Sequence, residues 1–236
     1  MKTTQTAADL AREKLDAMLT AGVITPGDKL PAERPLTEQL GVNRMSLRQA
    51  LLSLESDGKI FRKNRSGWFA ALPKFNYNPK SPASFNQAAR AQGRLPSWEY
   101  TDKQMLTGVP ADITGTLGLA DGDPVCCISG WGALDGHKVF WHQTYINPSV
   151  APDFAEKLDN HSFAAIWENE YNIITTTARL AFKPARIPET ASKAIGCTAN
   201  SPCIRVEKYR CDAEHNIVQI DIEYWRFESV YFFVEL

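Results

Sequence analysis

No stretch of the sequence approaches the roughly 20 consecutive apolar residues that a membrane-spanning helix needs. The first residues, MKTTQTAADLAREK, also lack the apolar core of a secretory signal. Charge of neither sign dominates, because 26 Lys and Arg stand against 27 Asp and Glu. We therefore predict a soluble, cytoplasmic protein without a membrane partner, whose 236 residues suffice for two domains with cores of their own.

The cysteines and histidines give no sign of a disulfide framework or a metal site. The five cysteines are odd in number and fall in segments with strand character, so we expect buried free thiols. None of the four histidines stands at a recognised metal-ligand spacing from a cysteine or a carboxylate. The sequence also shows no nucleophile and base pairing and no phosphate-binding loop. We predict no metal, no cofactor and no catalytic residue.

The segment from residue 26 to residue 71 has the pattern of a winged helix-turn-helix. In its first helix Leu36 and Leu40 face inward, Pro35 lies in the first turn, and Gly41 ends the helix. A Gly-Val-Asn turn, a second helix and a basic hairpin follow. Such a unit binds double-stranded DNA and places its second helix in the major groove.

The second helix carries most of the candidate DNA contacts. Asn43 is its predicted N-cap. One side forms an apolar stripe of Leu47, Ala50, Leu51 and Leu54. The residues outside the stripe include Arg44, Met45, Arg48 and Gln49. A solvated helix would explain two arginines taken alone, so the prediction of DNA contact depends on the whole ordered pattern.

That ordered pattern resembles the N-terminal domain of GntR-family bacterial transcription regulators. It reads PG-x-KLP, then ER-x-L, then GV-x-R-x-x-x-R-x-AL-x-x-LE-x-x-G, then a basic hairpin that closes on Gly67 and Phe69. The resemblance implies phosphate and guanine contacts for Arg34, Arg44 and Arg48, and a close approach of the Gly67 backbone to the minor groove. We predict these DNA-binding residues: Arg34, Asn43, Arg44, Met45, Ser46, Arg48, Arg65 and Gly67.

Two positions depart from the GntR pattern. Ala32 stands where a serine usually caps the first helix, which removes a cap that contributes about 1 kcal/mol. Asn64-Arg65-Ser66 replaces the usual glycine-rich tip of the wing and adds a cation there. We expect the extra cation to change which feature of the groove the wing contacts.

The predicted domains are a DNA-binding domain over 1–72, a linker over 73–82 and an effector-binding and dimerisation domain over 83–236. Residues 1–72 hold 11 Lys and Arg against 8 Asp and Glu, whereas the rest of the chain holds 15 against 19. The linker has three prolines within LPKFNYNPKSP and no helical or strand period, so we expect it to be semi-rigid. A first helix over 7–20 should bury Ala7, Ala11, Leu15, Met18 and Leu19.

The C-terminal part has the pattern of an α/β domain. We predict helices near 84–92, 110–118, 162–170 and 188–195. We predict strands near 97–106, 125–134, 138–146, 173–183, 203–212, 217–227 and 230–235. Asp135-Gly136 is a strong hairpin turn, and the stretch 212–216 is a weaker one.

An internal repeat relates residues 110–146 to residues 188–225. Each half has a Pro-started helix, a short turn with proline and then a hairpin, at an offset of about 77 to 78 residues. We expect the two hairpins to pair into one antiparallel sheet. A cleft between the two related halves is the predicted small-molecule site.

The second half of the chain resembles the UTRA domain, the effector-sensing module of the HutC subgroup of GntR regulators, whose fold is shared with chorismate lyase. RSGWF, YNIITTTARLAFKPARIP and DIEYWR are similar to regulators of 2-aminoethylphosphonate and phosphonate use. The resemblance implies effector contacts for Ser84, Ser162, Glu223 and Tyr224. It also implies an arginine pair where this chain has Gly130 and Gly132, and a glutamate where it has Gln143, so the expected phosphonate effector lacks its usual cations.

Several alternatives remain open for the pocket residues. Arg179 could supply the missing cation or form a surface ion pair. Glu223 could accept an amine or neutralise Lys208 or Arg226. Ser84 and Ser162 could be N-caps alone, although a capped helix N-terminus also attracts anions. Packing is the simpler role for three further residues, Trp131, His142 and Trp225.

The fold class that we predict is α+β, with an N-terminal winged helix-turn-helix followed by a chorismate-lyase-like effector domain. We expect a cytoplasmic repressor that acts as a homodimer on operator DNA and responds to a small-molecule effector, a phosphonate such as 2-aminoethylphosphonate being the implied class. An enzyme on the same fold is one alternative. A regulator whose pocket has decayed or that answers to a protein partner is another.

Overall fold

The computed structural model describes residues 5–63, 65–81, 84–158 and 162–235. The chain forms two compact units. The first contains residues up to 76 with 196–198 and 227–231, and the second contains 77–195, 199–226 and 232 onward. Within the described ranges, no helix is long and apolar enough to cross a membrane. All five cysteines are buried and none is in a disulfide, which confirms the expectation of buried thiols.

The helices and strands follow one another in this order: α1 Ala7–Thr20, α2 Glu33–Leu40, α3 Arg44–Ser56, β1 Ile60–Lys63, β2 Gly67–Ala70, β3 Phe75–Tyr77, α4 Phe85–Ala91, β4 Pro96–Leu106, α5 Ala111–Thr116, β5 Val125–Leu134, β6 His137–Ile146, α6 Phe154–Lys157, α7 Phe163–Tyr171, β7 Thr176–Arg186, α8 Glu189–Ile195, β8 Pro202–Cys211, β9 Ile217–Arg226 and β10 Val230–Phe232. The predicted helix over 7–20 is confirmed at both ends. Helix α6 was not predicted.

The three N-terminal helices pack around one apolar cluster. Its members include Leu15, Leu36, Leu47 and Leu51, all fully buried. Helix α1 begins with a capping box between Thr6 and Asp9. Its buried face departs from the prediction at Ala7, which is exposed, whereas Ala8 is buried. Met18 and Leu19, which were predicted to be buried, are only partly so.

Strands β1 and β2 form the antiparallel wing. Ile60 lies opposite Ala70, and Lys63 lies opposite Gly67 at the tip. Lys29 forms an isolated bridge to Phe69 and so ties the segment before α2 to the wing. The winged helix-turn-helix expected from the sequence is therefore present.

The second unit is built on a six-stranded antiparallel sheet in the order β4-β5-β6-β9-β8-β7. The two predicted hairpins, β5-β6 and β8-β9, pair through β6 and β9 at the centre of the sheet, which confirms the arrangement expected from the repeat. The repeat also extends outward, because β4 and β7 add one flanking strand to each hairpin. Both flanking strands have a register shift, at Tyr100/Asp102 in β4 and at Thr177/Arg179 in β7.

The two faces of this sheet are covered by different helices. On the α7 face, Phe154 of α6 and Trp167 of α7 pack with residues of β5, β6 and β9. On the α8 face, Lys138 donates to the Ala194 carbonyl of α8, and Leu117 after α5 packs against Ile220. Consecutive residues of β6 and β9 alternate between the two faces, so sequence neighbours there contact different helices.

The predicted linker contains a short strand. Strand β3 lies inside it and pairs with β10 in a separate two-stranded sheet. The Phe75 N–H donates to the Ser229 carbonyl at 2.9 Å, and the Phe233 N–H donates to the Tyr77 carbonyl at 3.2 Å. The expectation that 73–82 has no strand is therefore wrong at Phe75–Tyr77. An edge partner from the far end of the sequence gives this strand its hydrogen bonds.

Candidate functional site

Helix α3 presents a polar, exposed surface beside its buried apolar stripe. The side chain of Arg44 is 70% exposed and that of Arg48 is 50% exposed. Met45 between them is also exposed. The Nε atoms of both arginines donate to the same oxygen, Oε2 of Glu33 in α2, at 3.2 and 3.1 Å. One carboxylate therefore holds both predicted base-contacting arginines.

Glu33 is ionised in this arrangement. Partial burial raises its pKa, but hydrogen bonds and charges from Arg48 and Arg44 lower it more, so the pKa lies below the ordinary glutamate value. The carboxylate thus keeps its negative charge at neutral pH. It uses only the Nε group of each arginine, which leaves the terminal guanidinium nitrogens available to another acceptor.

The remaining residues of the predicted surface have separate roles. Asn43 caps α3, since its Oδ1 accepts from the Ser46 N–H at 2.9 Å. Arg34 is almost fully exposed and lies 3.4 Å from Glu38. No side-chain cap is present at Ala32, which confirms the loss expected from the sequence.

The wing tip requires unusual backbone conformations. Gly67 has a φ of +101° and Arg65 has a φ of +57°. The first value lies where residues with a Cβ are strained, so the shape of the wing requires Gly67, apart from its predicted approach to DNA. Near the tip of the wing, Lys63 Nζ lies 4.5 Å from the centre of the Phe69 ring.

On the α7 face, two helices begin with a Ser-Phe step. Ser84 caps α4 and Ser162 caps α7 by accepting from the N–H three residues later. Phe85 contacts Trp225 of β9, and Phe163 contacts His142 of β6. The rings after both predicted serines therefore contact one face of the central strands.

Glu223 lies on the same face and already has partners. Its Oε2 accepts from the Trp225 Nε1–H at 2.6 Å, and its Oε1 lies 3.8 Å from Lys208 Nζ. The Lys208 side chain is only 5% exposed. Burial lowers the pKa of Lys208, but nearby groups including Glu223 and Asp221 raise it more, so the ammonium form persists. The interpretation of Glu223 as the partner of Lys208 is confirmed, while Arg226 donates elsewhere, to the Ile195 carbonyl.

A chain of buried hydrogen bonds runs from α7 to His142. Trp167 Nε1–H donates to Gln219 Oε1 at 2.6 Å, and Gln219 Nε2–H donates to Asp221 Oδ1 at 2.7 Å. The Thr144 hydroxyl donates to the same Asp221 oxygen at 2.8 Å, and His142 Nδ1 lies 3.2 Å from the Thr144 hydroxyl. The sequence favoured packing for His142, whereas the structure places its ring at one end of this chain of hydrogen bonds.

The positions that lack the expected arginines have no room for a side chain. A Cβ on Gly130 would meet the Glu99 carbonyl oxygen and lie 2.8 Å from His142 Nε2. A Cβ on Gly132 would meet the Phe140 ring. Rings of β6 therefore fill the space beside both glycines of β5.

Arg179 and Tyr224 are not on this face. Tyr224 lies between Trp141 and Arg205 on the α8 face. Arg179 is exposed and stacks on Tyr209 of the same face, 3.7 Å from the ring centre. The structure thus brings Ser84, Ser162 and Glu223 to one face and places Arg179 and Tyr224 on the other.

Comparison with known proteins decides the family. The family of bacterial regulatory proteins, gntR family, matches residues 7–70, and the UTRA domain matches residues 91–230. The chain is 52% identical to the HTH-type transcriptional regulator YihL of Escherichia coli (strain K12) over 236 residues, covering 100% of both chains. The chain belongs to the GntR family of bacterial regulatory proteins and carries a UTRA domain.

Two further similarities support this assignment. The regulator is 30% identical to the HTH-type transcriptional repressor PhnF of Mycolicibacterium smegmatis over 212 residues, which cover 87% of this chain and 82% of the relative. The crystal structure of PhnF from Mycobacterium smegmatis superposes with a TM-score of 0.62 at 26% identity, covering 96% of this chain and 98% of that one. This protein is therefore an effector-binding transcription regulator and not an enzyme.

Proposed function

We propose that the regulator acts as a cytoplasmic repressor, in the compartment that holds bacterial chromosomal DNA. Two copies would bind one pseudo-palindromic operator through α3 and the wing. The α7 face would bind the effector between Ser84, Ser162 and Glu223. The observation that supports this site most is that two capped helices, a buried ion pair and a set of aromatic rings meet on one face of the sheet.

Arg44, Met45 and Arg48 are the proposed major-groove contacts, because they are exposed on one side of α3. Arg34 would contact a phosphate, and Arg65 and Gly67 would place the wing at the minor groove. Asn43 and Ser46 would set the start of α3 against the DNA backbone. A homodimer follows from the small size of one such unit, since a second copy doubles the base contacts and adds its own phosphate contacts.

The domain boundaries that we propose are 1–72, 73–82 and 83–236. Effector binding would release the operator only if the effector has a higher affinity for the form of the dimer that does not fit two half-sites. PhnF, the 30% identical relative, is named as a transcriptional repressor, and this supports repression as the sign of regulation. The phosphonate class implied by the sequence resemblance has little support on the α7 face, because no arginine can stand at Gly130 or Gly132.

The test begins with selection of the operator from random duplexes by the full-length protein. Release of this duplex by candidate metabolites is then followed by fluorescence anisotropy. We expect Glu223→Gln to weaken the effector by about 1.5 to 3 kcal/mol, the usual contribution of a hydrogen bond to a charged group, with unchanged operator affinity without effector. Tyr224→Phe, on the other face, is the matched control and should behave as wild type. Effector release that survives Glu223→Gln and fails in Tyr224→Phe would place the site on the α8 face instead.

A further inference from the structure

The His142 ring lies among aromatic side chains on the α7 face. Three rings contact it. The ring centres of Tyr100 and Phe163 lie 6.2 and 6.0 Å away and are nearly perpendicular to the imidazole, while that of Phe140 lies 6.2 Å away. His142 nevertheless keeps part of its surface exposed. Solvent therefore reaches part of a residue that aromatic side chains enclose.

The hydrogen bonds of the neighbouring residues decide which imidazole nitrogen carries the proton. The Thr144 hydroxyl gives its single proton to Asp221. It can therefore only accept from His142 Nδ1, which must carry a hydrogen. In the neutral ring the other nitrogen, Nε2, then has a lone pair. In the part of the chain that the structure describes, Nε2 has no hydrogen-bond partner.

The ring is neutral in this environment. Burial lowers the pKa of His142 to about 4, although the charge of Asp221 acts in the opposite direction. Burial also raises the pKa of Tyr100 to about 12, so this neighbour stays protonated. At physiological pH, His142 therefore offers an acceptor and no positive charge.

Among the residues that the structure describes, the interior cations of this face pair with carboxylates, and Lys103 lies at its edge. Lys208 lies 3.8 Å from Glu223, and Arg210 Nε lies 3.6 Å from Asp221. Lys103 is exposed and donates to the Leu158 carbonyl. The interior cations are thus neutralised one for one, and a buried anionic ligand would bring a charge without a new partner.

We propose that the α7 face takes a small uncharged ligand that donates a hydrogen bond, from a hydroxyl or an amide N–H, to His142 Nε2. The inference depends on the proposed function, because it names the ligand class of the same site. A fully ionised carboxylate or phosphate group offers acceptors only, and these would face the Nε2 lone pair. The rings of Tyr100, Phe140 and Phe163 suit the C–H surface of an uncharged molecule.

Nuclear magnetic resonance of the full-length protein with ¹⁵N-labelled histidine tests this directly. The probes are acetamide and acetate, which have nearly the same size and shape but differ in charge and in hydrogen-bond donors. We expect His142 to be neutral at pH 5, with the hydrogen on Nδ1. At pH 7, where acetate is fully ionised, we expect acetamide to shift the Nε2 signal in proportion to concentration. Acetate should leave the signal unchanged. The His142→Phe variant assigns the signal and should abolish the acetamide effect, and exposed His215 in the β8–β9 turn is the internal control.

Three outcomes would overturn the inference: a protonated Nε2 in the free protein, a shift caused by acetate but not by acetamide, or no shift with either probe. None of these measurements involves DNA. If acetamide binds at His142 but no ligand of this face changes operator affinity, the proposed function fails while the ligand chemistry stands.

Discussion

The two polar surfaces of this regulator are organised in opposite ways. On α3, Arg44 and Arg48 are exposed and share one partly exposed carboxylate. On the α7 face, Asp221 and Lys208 are buried and already bonded to protein groups. The first surface can change partners at little energetic cost, because water solvates whatever is released. The groups of the second surface are held by protein partners. Loss of a partner would leave a buried polar group without a hydrogen bond, which destabilises the folded state.

The largest expected effect comes from removing the centre of the buried network. Asp221→Ala leaves the Thr144 and Gln219 donors and nearby Arg210 without their acceptor, and we expect it to lower the free energy of unfolding by about 3 to 4 kcal/mol. Urea denaturation of the second unit, followed by tryptophan fluorescence, measures the change. The matched control is Glu38→Ala, an exposed ion-pair partner, which should cost less than about 0.5 kcal/mol. Equal effects of the two substitutions would contradict the difference between the buried and the exposed surface.

A second set of substitutions probes the exposed surface. Arg44→Ala and Arg48→Ala should each weaken operator binding by about 1 to 3 kcal/mol and leave the unfolding transition unchanged, because neither side chain belongs to the apolar stripe. Anisotropy titration with the selected operator measures this loss. Arg90→Ala, an exposed arginine of α4, is the control. Unchanged operator affinity in both α3 variants would show that this helix does not enter the groove.

Glu33 contacts both α3 arginines, and we expect its negative charge to weaken non-specific binding to DNA. Glu33→Gln removes a negative charge from the surface, so we expect a three- to tenfold gain in affinity for random duplex, about 1 kcal/mol, with a smaller ratio of operator to random binding. The lowered pKa of Glu33 means that wild type should keep this discrimination at neutral pH and lose it only as the pH falls through that pKa. Glu38→Gln, which frees only Arg34, is the matched control. A preserved binding ratio in Glu33→Gln would count against this role.

The smallest effect is expected at the wing tip. Arg65→Ala should flatten the dependence of log affinity on log salt by about one unit, the contribution of one phosphate contact. Gly67→Val should impair binding more, and its positive φ predicts a loss of thermal stability of the N-terminal unit as well. An unaltered salt slope for Arg65→Ala would mean that this side chain points away from DNA.

The same contrast explains which of the two surfaces could be predicted from the sequence alone. The DNA-binding surface depends on residues within one short segment, so helical periodicity and caps predict it. The α7 face depends on how the strands are aligned in the sheet, and the spacing of residues in the sequence does not reveal this register. Arg179 shows the difficulty, because the extra residue at Thr177/Arg179 shifts β7 by one position and turns Arg179 away from the face of Lys208 and Arg210. Tyr224 was assigned with Glu223 although adjacent strand residues point to opposite faces.

Other differences have local causes. Strand β3 has too few residues to show a period, and its partner β10 lies about 150 residues later in the chain, so the prolines around it suggested a linker. His142 was predicted as a packing residue because Asp221, which accepts the Thr144 proton, meets β6 only when β6 and β9 pair. The sequence showed Gly130 and Gly132 only as positions that lack the expected arginines, and the structure adds that they provide space for rings of β6.

The close fit of β6 rings over the β5 glycines restricts how this regulator could evolve toward another ligand. A single change of Gly130 to arginine would collide with the Glu99 backbone and the His142 ring, and overpacking of this kind costs about 1 to 3 kcal/mol or more. His142 or Phe140 would have to become smaller first, and that first step would leave a cavity and an unsatisfied Thr144 acceptor. Intermediates that fold poorly thus separate proteins with the arginine pair from proteins with the histidine. We therefore expect the class of ligand to change rarely within a lineage.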